Sequence, residues 1–159
     1  MKFKNERDYE EVVEALVPLF TAMRDPYLNV GPKLIAIDGR TGVGKSGMGR
    51  FLSWTFNATL IETDLYMIPG RGRPIYRLED LRRVIDYRLI TAKCPVFVEG
   101  IMVVKLLELA GLQPDFLIHI SCPQHSMGPS RTRDEIEDYE VTYAPTSTAD
   151  LVITFDDNL

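Results

Sequence analysis

Short apolar runs alternate with amphipathic stretches along the whole of this 159-residue chain. Residues 33–38, 58–63, 95–98, 116–120 and 151–155 read as strands. These runs are largely continuous in Val, Ile, Leu and Phe rather than alternating, so both faces of each strand are expected to be covered. Helical spacing is read at residues 46–56, 78–92, 101–110 and 131–139. An amphipathic helix over residues 8–23 precedes the first strand, with Val12, Val13, Leu16, Val17, Leu19 and Phe20 in helical spacing. Pro18 is expected to kink it, Asp25-Pro26 to end it, and Gly31-Pro32 to lead into the first strand. Trp54, on the helix over residues 46–56, is assigned to the core. There is no repeat, low-complexity segment or linker. The alternation predicts one α/β domain over residues 1–159, a five-stranded parallel sheet with helices on both faces, and residues 1–30 as a helical extension.

The turn between the first strand and the next helix carries the strongest chemical signal. Residues 39–46 read Gly-Arg-Thr-Gly-Val-Gly-Lys-Ser and fit the phosphate-loop pattern G-x-x-x-x-G-K-[ST] at every fixed position. The strand–loop–helix context converts that pattern into a physical expectation. Backbone N–H groups from Gly39, Arg40, Thr41, Gly42, Val43, Gly44, Lys45, Ser46 and Gly47 would cradle phosphate oxygens at the positive end of the helix dipole. Gly39, Gly42 and Gly44 allow backbone angles and close approach that a side chain would forbid. Lys45 would reach the β- and γ-phosphates, and the Ser46 hydroxyl would ligate Mg²⁺. The expected architecture is therefore a three-layer P-loop NTPase fold. Ligands of open parallel sheets bind at the carboxyl ends of the strands, where Asp64 and Glu99 also fall.

Composition narrows the partners. Hydrophobic content of 45% and charged content of 26% are ordinary for a globular domain. A net charge of −5 argues against a nucleic-acid or membrane-binding surface. Locally, Arg71, Arg73, Arg77, Arg82 and Arg83 crowd one stretch. The basic loop at residues 71–77 would suit an anionic small molecule, or could be a solvated loop. Cys94 and Cys122 make neither a metal spacing nor a disulfide framework, and they read as small buried hydrophobes. His119, inside the fourth strand, reads as a satisfied core histidine. The apolar runs are too short to span a bilayer and the N-terminus lacks an apolar signal region, so a cytoplasmic location is the expectation. The N-terminal helix could pack on its own domain or on a partner, including a second copy in a homo-oligomer.

A phosphate loop alone serves kinases, GTPases and ATP-driven switches. The Asn-Lys-x-Asp guanine signature of GTPases is missing, and the third strand closes on one acid, Glu99, followed by Gly100. Residues 35–46 resemble the opening of the uridine kinase-like branch of P-loop small-molecule kinases. Three segments agree with it in order: Asp64-Leu65-Tyr66, the run from Val96 to Ile101 ending in Glu99-Gly100, and Ala149-Asp150-Leu151-Val152-Ile153.

The resemblance implies ATP and Mg²⁺ as cofactors and phosphoryl transfer to a hydroxyl of a small nucleoside- or sugar-like acceptor. It implies that Asp64 is the general base, that Glu99 holds Mg²⁺ beside Ser46, and that Asp64 completes the metal set. It implies a short lid over residues 123–140 whose Arg131 and Arg133 close on the transferring phosphoryl group, with Lys45 acting beside them. Tyr66, Arg77 and Asp80 are the expected acceptor contacts, and Tyr76 could line the same pocket. The lid has fewer arginines than the resemblance calls for, and continues Glu135-Ile136-Glu137-Asp138. An ATP-binding switch with little transferase activity is the alternative reading.

Overall fold

The computed structural model describes residues 6–71, 73–123 and 133–155. Five strands, β1 (Leu34–Gly39), β2 (Thr59–Glu62), β3 (Val96–Gly100), β4 (Phe116–Ser121) and β5 (Leu151–Thr154), form one sheet. All neighbours are parallel, in the order β2, β3, β1, β4, β5. The helices are α1 (Glu6–Arg24), α2 (Lys45–Phe56), α3 (Leu78–Asp86), α4 (Val103–Leu109), α5 (Arg133–Tyr143) and α6 (Pro145–Thr148). A 3₁₀ turn, Thr63–Tyr66, follows β2, and a π-helical turn, Tyr87–Thr91, extends α3.

Residue parity explains why the central strands are apolar over most of their length. Ile35 and Ile37 of β1, with Phe97 of β3, face a core built from Val12, Leu16 and Phe20 of α1 and Met48, Leu52 and Phe56 of α2. Their neighbours Leu34, Ala36, Val96 and Val98 face Leu81 and Ile85 of α3 and Val103 and Leu107 of α4. Consecutive strand residues point to opposite faces, so a sheet covered on both sides favours apolar side chains on both parities rather than in alternation. The result is the expected three-layer α/β arrangement.

The N-terminal helix packs on its own domain. Phe20 stacks on Phe56 at 4.1 Å and on Phe97 at 5.9 Å between ring centroids. The helix continues past Pro18 to Arg24. Pro18 and Glu14 are both exposed, so the carbonyl that loses its bond to the proline nitrogen stays solvated. Trp54 is not core: it is 82% exposed. The buried stripe of α2 runs through Lys45, Met48, Gly49, Leu52 and Phe56, and Trp54 lies about 200° round the helix from both Leu52 and Phe56. The fourth helix starts at Val103 rather than residue 101, because Met102 has a left-handed φ of 52°. No helix among the described residues is long and apolar enough to cross a membrane.

Two close approaches shape the carboxyl edge of the sheet. Gly39 ends β1 with φ 148°, and a Cβ there would lie 2.5 Å from the Ile120 carbonyl oxygen of β4. Gly100 ends β3 beside Thr63, which is fully buried, and a Cβ there would lie 1.9 Å from Thr63 Oγ1 and 3.0 Å from Thr63 Cβ. Thr63 directly precedes Asp64, so this contact sets where the 3₁₀ turn leaves β2. Gly100→Ala is expected to destabilise the protein by about 2–3 kcal/mol through overpacking, a fall in Tm of roughly 5–10 °C. Thermal unfolding of Gly100→Ala with and without Thr63→Ala checks it, because removing the hydroxyl and methyl should recover part of the loss. Full additivity of the two changes would sink this account.

Candidate active site

The phosphate loop leaves β1 in the middle of the sheet, where the strands on its two sides diverge to different connections. Gly44, with φ 103°, is the N-cap of α2 and supplies no side-chain cap. The first intrahelical bond runs from the Met48 N–H to the Gly44 carbonyl at 3.1 Å. The N–H groups of the first turn therefore stay available to an anion placed before the helix.

Lys45 is the centre of the charge arrangement. Its residue is 7% exposed, and its ammonium donates to the Arg40 carbonyl of its own loop at 2.7 Å. Burial pulls its pKa down, while the Glu99, Asp38 and Asp64 carboxylates pull it up, the burial effect being the larger. Beside it the Ser46 hydroxyl donates to Glu99 Oε1 at 2.6 Å. Glu99 is buried, and burial raises its pKa against the opposing effects of the Ser46 hydrogen bond and Lys45.

Asp64 sits on the 3₁₀ turn after β2 and is exposed to the cleft. Thr41, Gly42, Lys45, Ser46, Asp64 and Glu99 line one cleft of about 560 Å³. Its far wall comes from the loop after the 3₁₀ turn and includes Pro69, Arg71, Arg73 and Pro74. A second depression of about 430 Å³ lies on the other side of the phosphate loop, between Arg40, Val43, the end of β4 and residues 144–147.

The remaining residues singled out from sequence divide clearly. Gly39 packs on β4, Val43 is buried in the core under α1 and α2, and Gly47 lies against Tyr9. The Arg40 guanidinium turns away from the cleft to a bidentate pair with Glu140 of α5, at 2.6 and 2.7 Å. That pair raises its pKa further.

Tyr66, Arg77 and Asp80 do not line the cleft around Lys45. Tyr66 packs against the α3 and α4 core. The Arg77 guanidinium donates to the Leu65 carbonyl at 2.9 Å, and Asp80 accepts from Arg83 at 2.8 Å. Arg133, at the start of α5, donates to Glu137 at 2.8 Å. Arg131 and the rest of residues 124–132, half of the lid expected over residues 123–140, lie outside the described residues.

Sequence reasoning missed a buried network next to the loop. Asp38, at the end of β1, is 1% exposed and lies 3.0 Å from His119 Nδ1 of β4 through its Oδ2. Its Oδ1 accepts from the Val103 N–H at the start of α4 at 3.3 Å. His119 is thus the hydrogen-bonded core histidine that its strand position predicts. Tyr139 of α5 covers this pair, and burial together with the Asp38 carboxylate pushes its phenol up. One signal was present: two polar side chains inside apolar strands must find each other or another partner. Nothing in the local pattern named which.

The hydroxyl of Ser46 and the carboxylate of Glu99 are hard oxygen donors held side by side, with Asp64 on the same cleft. No group of three or more His, Cys, Asp or Glu side chains that could hold a metal occurs among the described residues. Such a sparse donor set fits Mg²⁺, which takes one or two protein oxygens and the rest from water and phosphate.

No protein-family model matches the chain, and no curated protein sequence does. Solved structures do. A possible uridine kinase from Bacillus stearothermophilus is 17% identical, with 90% of this chain and 99% of that one aligned at a TM-score of 0.59. The YGR205w protein is 10% identical, with 95% of each chain aligned at a TM-score of 0.52. The fold is that of the P-loop kinases.

Burial makes Glu99 a site where folding stability opposes ionisation of the carboxylate. Its folded pKa is raised, so the folded state holds the proton more tightly than the unfolded state. Stability then falls as pH rises from the ordinary carboxylate range through the folded pKa. Glu99→Gln keeps an oxygen that accepts from Ser46 and removes the buried charge. In metal-free buffer its Tm should exceed that of the wild type at pH 7–8, by about 2–4 °C for each 1 kcal/mol relieved. The gap should close toward pH 4, and a gap independent of pH would contradict the assignment.

Proposed function

We propose that this chain is a Mg²⁺-dependent kinase that transfers the γ-phosphoryl group of ATP to a hydroxyl of a small molecule. The observation that carries the reading is the meeting of Lys45, Ser46, Glu99 and Asp64 on one roomy cleft. A nucleotide switch needs the first three, but it needs neither an exposed carboxylate facing them nor space beyond the phosphates. The acceptor class is nucleoside- or sugar-like, as for a uridine kinase-like enzyme.

The loop N–H groups and Lys45 hold the triphosphate, and Lys45 exchanges the Arg40 carbonyl for phosphate oxygens. The depression of about 430 Å³ across the loop offers room for the base and ribose, leaving the larger cleft to the acceptor. Ser46 and Glu99 would hold Mg²⁺, which when bound neutralises charge on the phosphate oxygens. Asp64 orients the acceptor hydroxyl and takes its proton. The hydroxyl oxygen forms the new bond to Pγ, the bond from Pγ to the β,γ-bridging oxygen breaks, and ADP leaves with that electron pair. Arg131 and Arg133 supply positive charge over the transferring group, Arg133 by releasing its exposed bond to Glu137.

Release of ADP from Mg·ATP across a panel of alcohols, with Lys45→Ala as the blank, tests this. Asp64→Asn is expected to lower kcat by about 10²–10⁴ while leaving ATP affinity, measured by calorimetry, within about threefold. ATP binding with no acceptor-stimulated ADP release would overturn the kinase reading in favour of an ATP-binding switch.

A further inference from the structure

The wall of the cleft opposite the phosphate loop is a pinned flap. Met67 and Tyr76 form an isolated antiparallel bridge. The Ile68 N–H donates to the Ile75 carbonyl at 2.7 Å, and the Arg77 N–H to the Tyr66 carbonyl at 2.9 Å. The Tyr76 side chain anchors the base of the flap. It is 8% exposed, and burial with the Asp64 and Glu135 carboxylates pushes its phenol up to about 12. Pro69 and Pro74 restrict the two arms, and Arg71 and Arg73 stand between them on the cleft.

The arginines of this region are not equivalent. Arg77 is spent on the Leu65 carbonyl, Arg82 on Asp86 and the Ala110 carbonyl, and Arg83 on Asp80. Arg71 and Arg73 have no hydrogen bond or ion pair to any described residue, yet they are the ones that line the cleft. The acids on that cleft are Asp64 and Glu99, at the opposite wall beside Lys45 and Ser46. The cleft thus has carboxylates at the phosphate-loop wall and, on the flap, two cations with no counter-ion among the described residues. Both arginines line the one cleft, and each guanidinium offers a fork of donors that matches phosphate or carboxylate oxygens.

We infer that the acceptor is itself an anion: a small alcohol carrying a phosphate monoester or a carboxylate at the end remote from the hydroxyl that is phosphorylated. The reading rests on the kinase function proposed above. The acceptor's anionic group lies on Arg71 and Arg73, which directs its hydroxyl to Asp64. The reaction remains attack of that hydroxyl oxygen on Pγ, transfer of its proton to Asp64 and departure of ADP.

Matched pairs separate this from a neutral acceptor. ADP release would be compared for ribose against ribose 5-phosphate, uridine against uridine 5′-monophosphate, and glycerol against glycerate. The expected result is that the anionic member of at least one pair wins by on the order of 100-fold in kcat/KM. In the Arg71→Ala/Arg73→Ala double variant that preference should fall to within about tenfold of unity, chiefly through KM. Which pair shows the preference tells phosphate from carboxylate. Both side chains are exposed, so the variant should fold, and its Tm checks that.

Equal turnover within every pair, or a preference that survives the double variant, overturns the inference and leaves the kinase reading intact. If nothing is turned over, the same anionic compounds are titrated into protein holding Mg²⁺ and a non-hydrolysable ATP analogue. Binding that is lost in the double variant supports the inference, and no binding overturns it. Failure of ATP itself to bind tells separately against the function proposed above.

Discussion

A buried ammonium group organises the carboxyl edge of this sheet. Lys45 is almost fully enclosed, and an unpaired charge in that position would be costly. Its neighbours are the Arg40 carbonyl and the carboxylates of Glu99, Asp38 and Asp64. Those acids come from the ends of β3, β1 and β2, which the parallel sheet places at one edge. Three strand ends in register therefore place negative charge around one lysine; Glu99 and Asp64 also line the cleft, whereas Asp38 is turned to His119.

The second requirement is backbone proximity. The turn after β1 can run close to β4 because position 39 carries no side chain to strike the Ile120 carbonyl. The turn after β2 can fold against β3 because position 100 has none to strike Thr63. Asp64 and the phosphate loop are thus held by packing at the sheet edge. The flap opposite is different in kind. It is tied at its base by a bridge and two backbone hydrogen bonds and by buried Tyr76, while its arginines remain exposed.

A third set of contacts joins the phosphate loop to α5. Arg40 reaches Glu140, and Tyr139 lies over the buried pair of Asp38 and His119. Ile136 and Tyr139 also pack on Met102 next to the start of α4. The helix that begins within the expected lid therefore reaches the phosphate loop through the Arg40–Glu140 pair and the adjoining Asp38–His119 pair through Tyr139. A change in the position of α5 would be felt at Arg40, whose carbonyl is the present partner of Lys45.

Much of this was legible in the chain. The five strands are legible within a few residues because parallel strands covered on both faces read as near-continuous apolar runs. The phosphate loop was found because its glycines, lysine and serine act locally, through consecutive backbone groups at one helix start. Asp64 and Glu99 were placed at the site because strand ends of a parallel sheet share an edge.

What the sequence could not supply was the destination of side chains whose partners are distant in the chain. Trp54 looked like core, yet its helix turns it to solvent. Among the clustered arginines, nothing local showed that Arg77, Arg82 and Arg83 are neutralised while Arg71 and Arg73 face the cleft. Nor did anything show that Arg40 belongs to Glu140, 100 residues away, or Asp38 to His119, 81 residues away. Backbone periodicity and motif chemistry are short-range properties and are written in consecutive residues. Charge pairing and cleft lining depend on which segments the packed sheet brings together, so only the tertiary structure decided them.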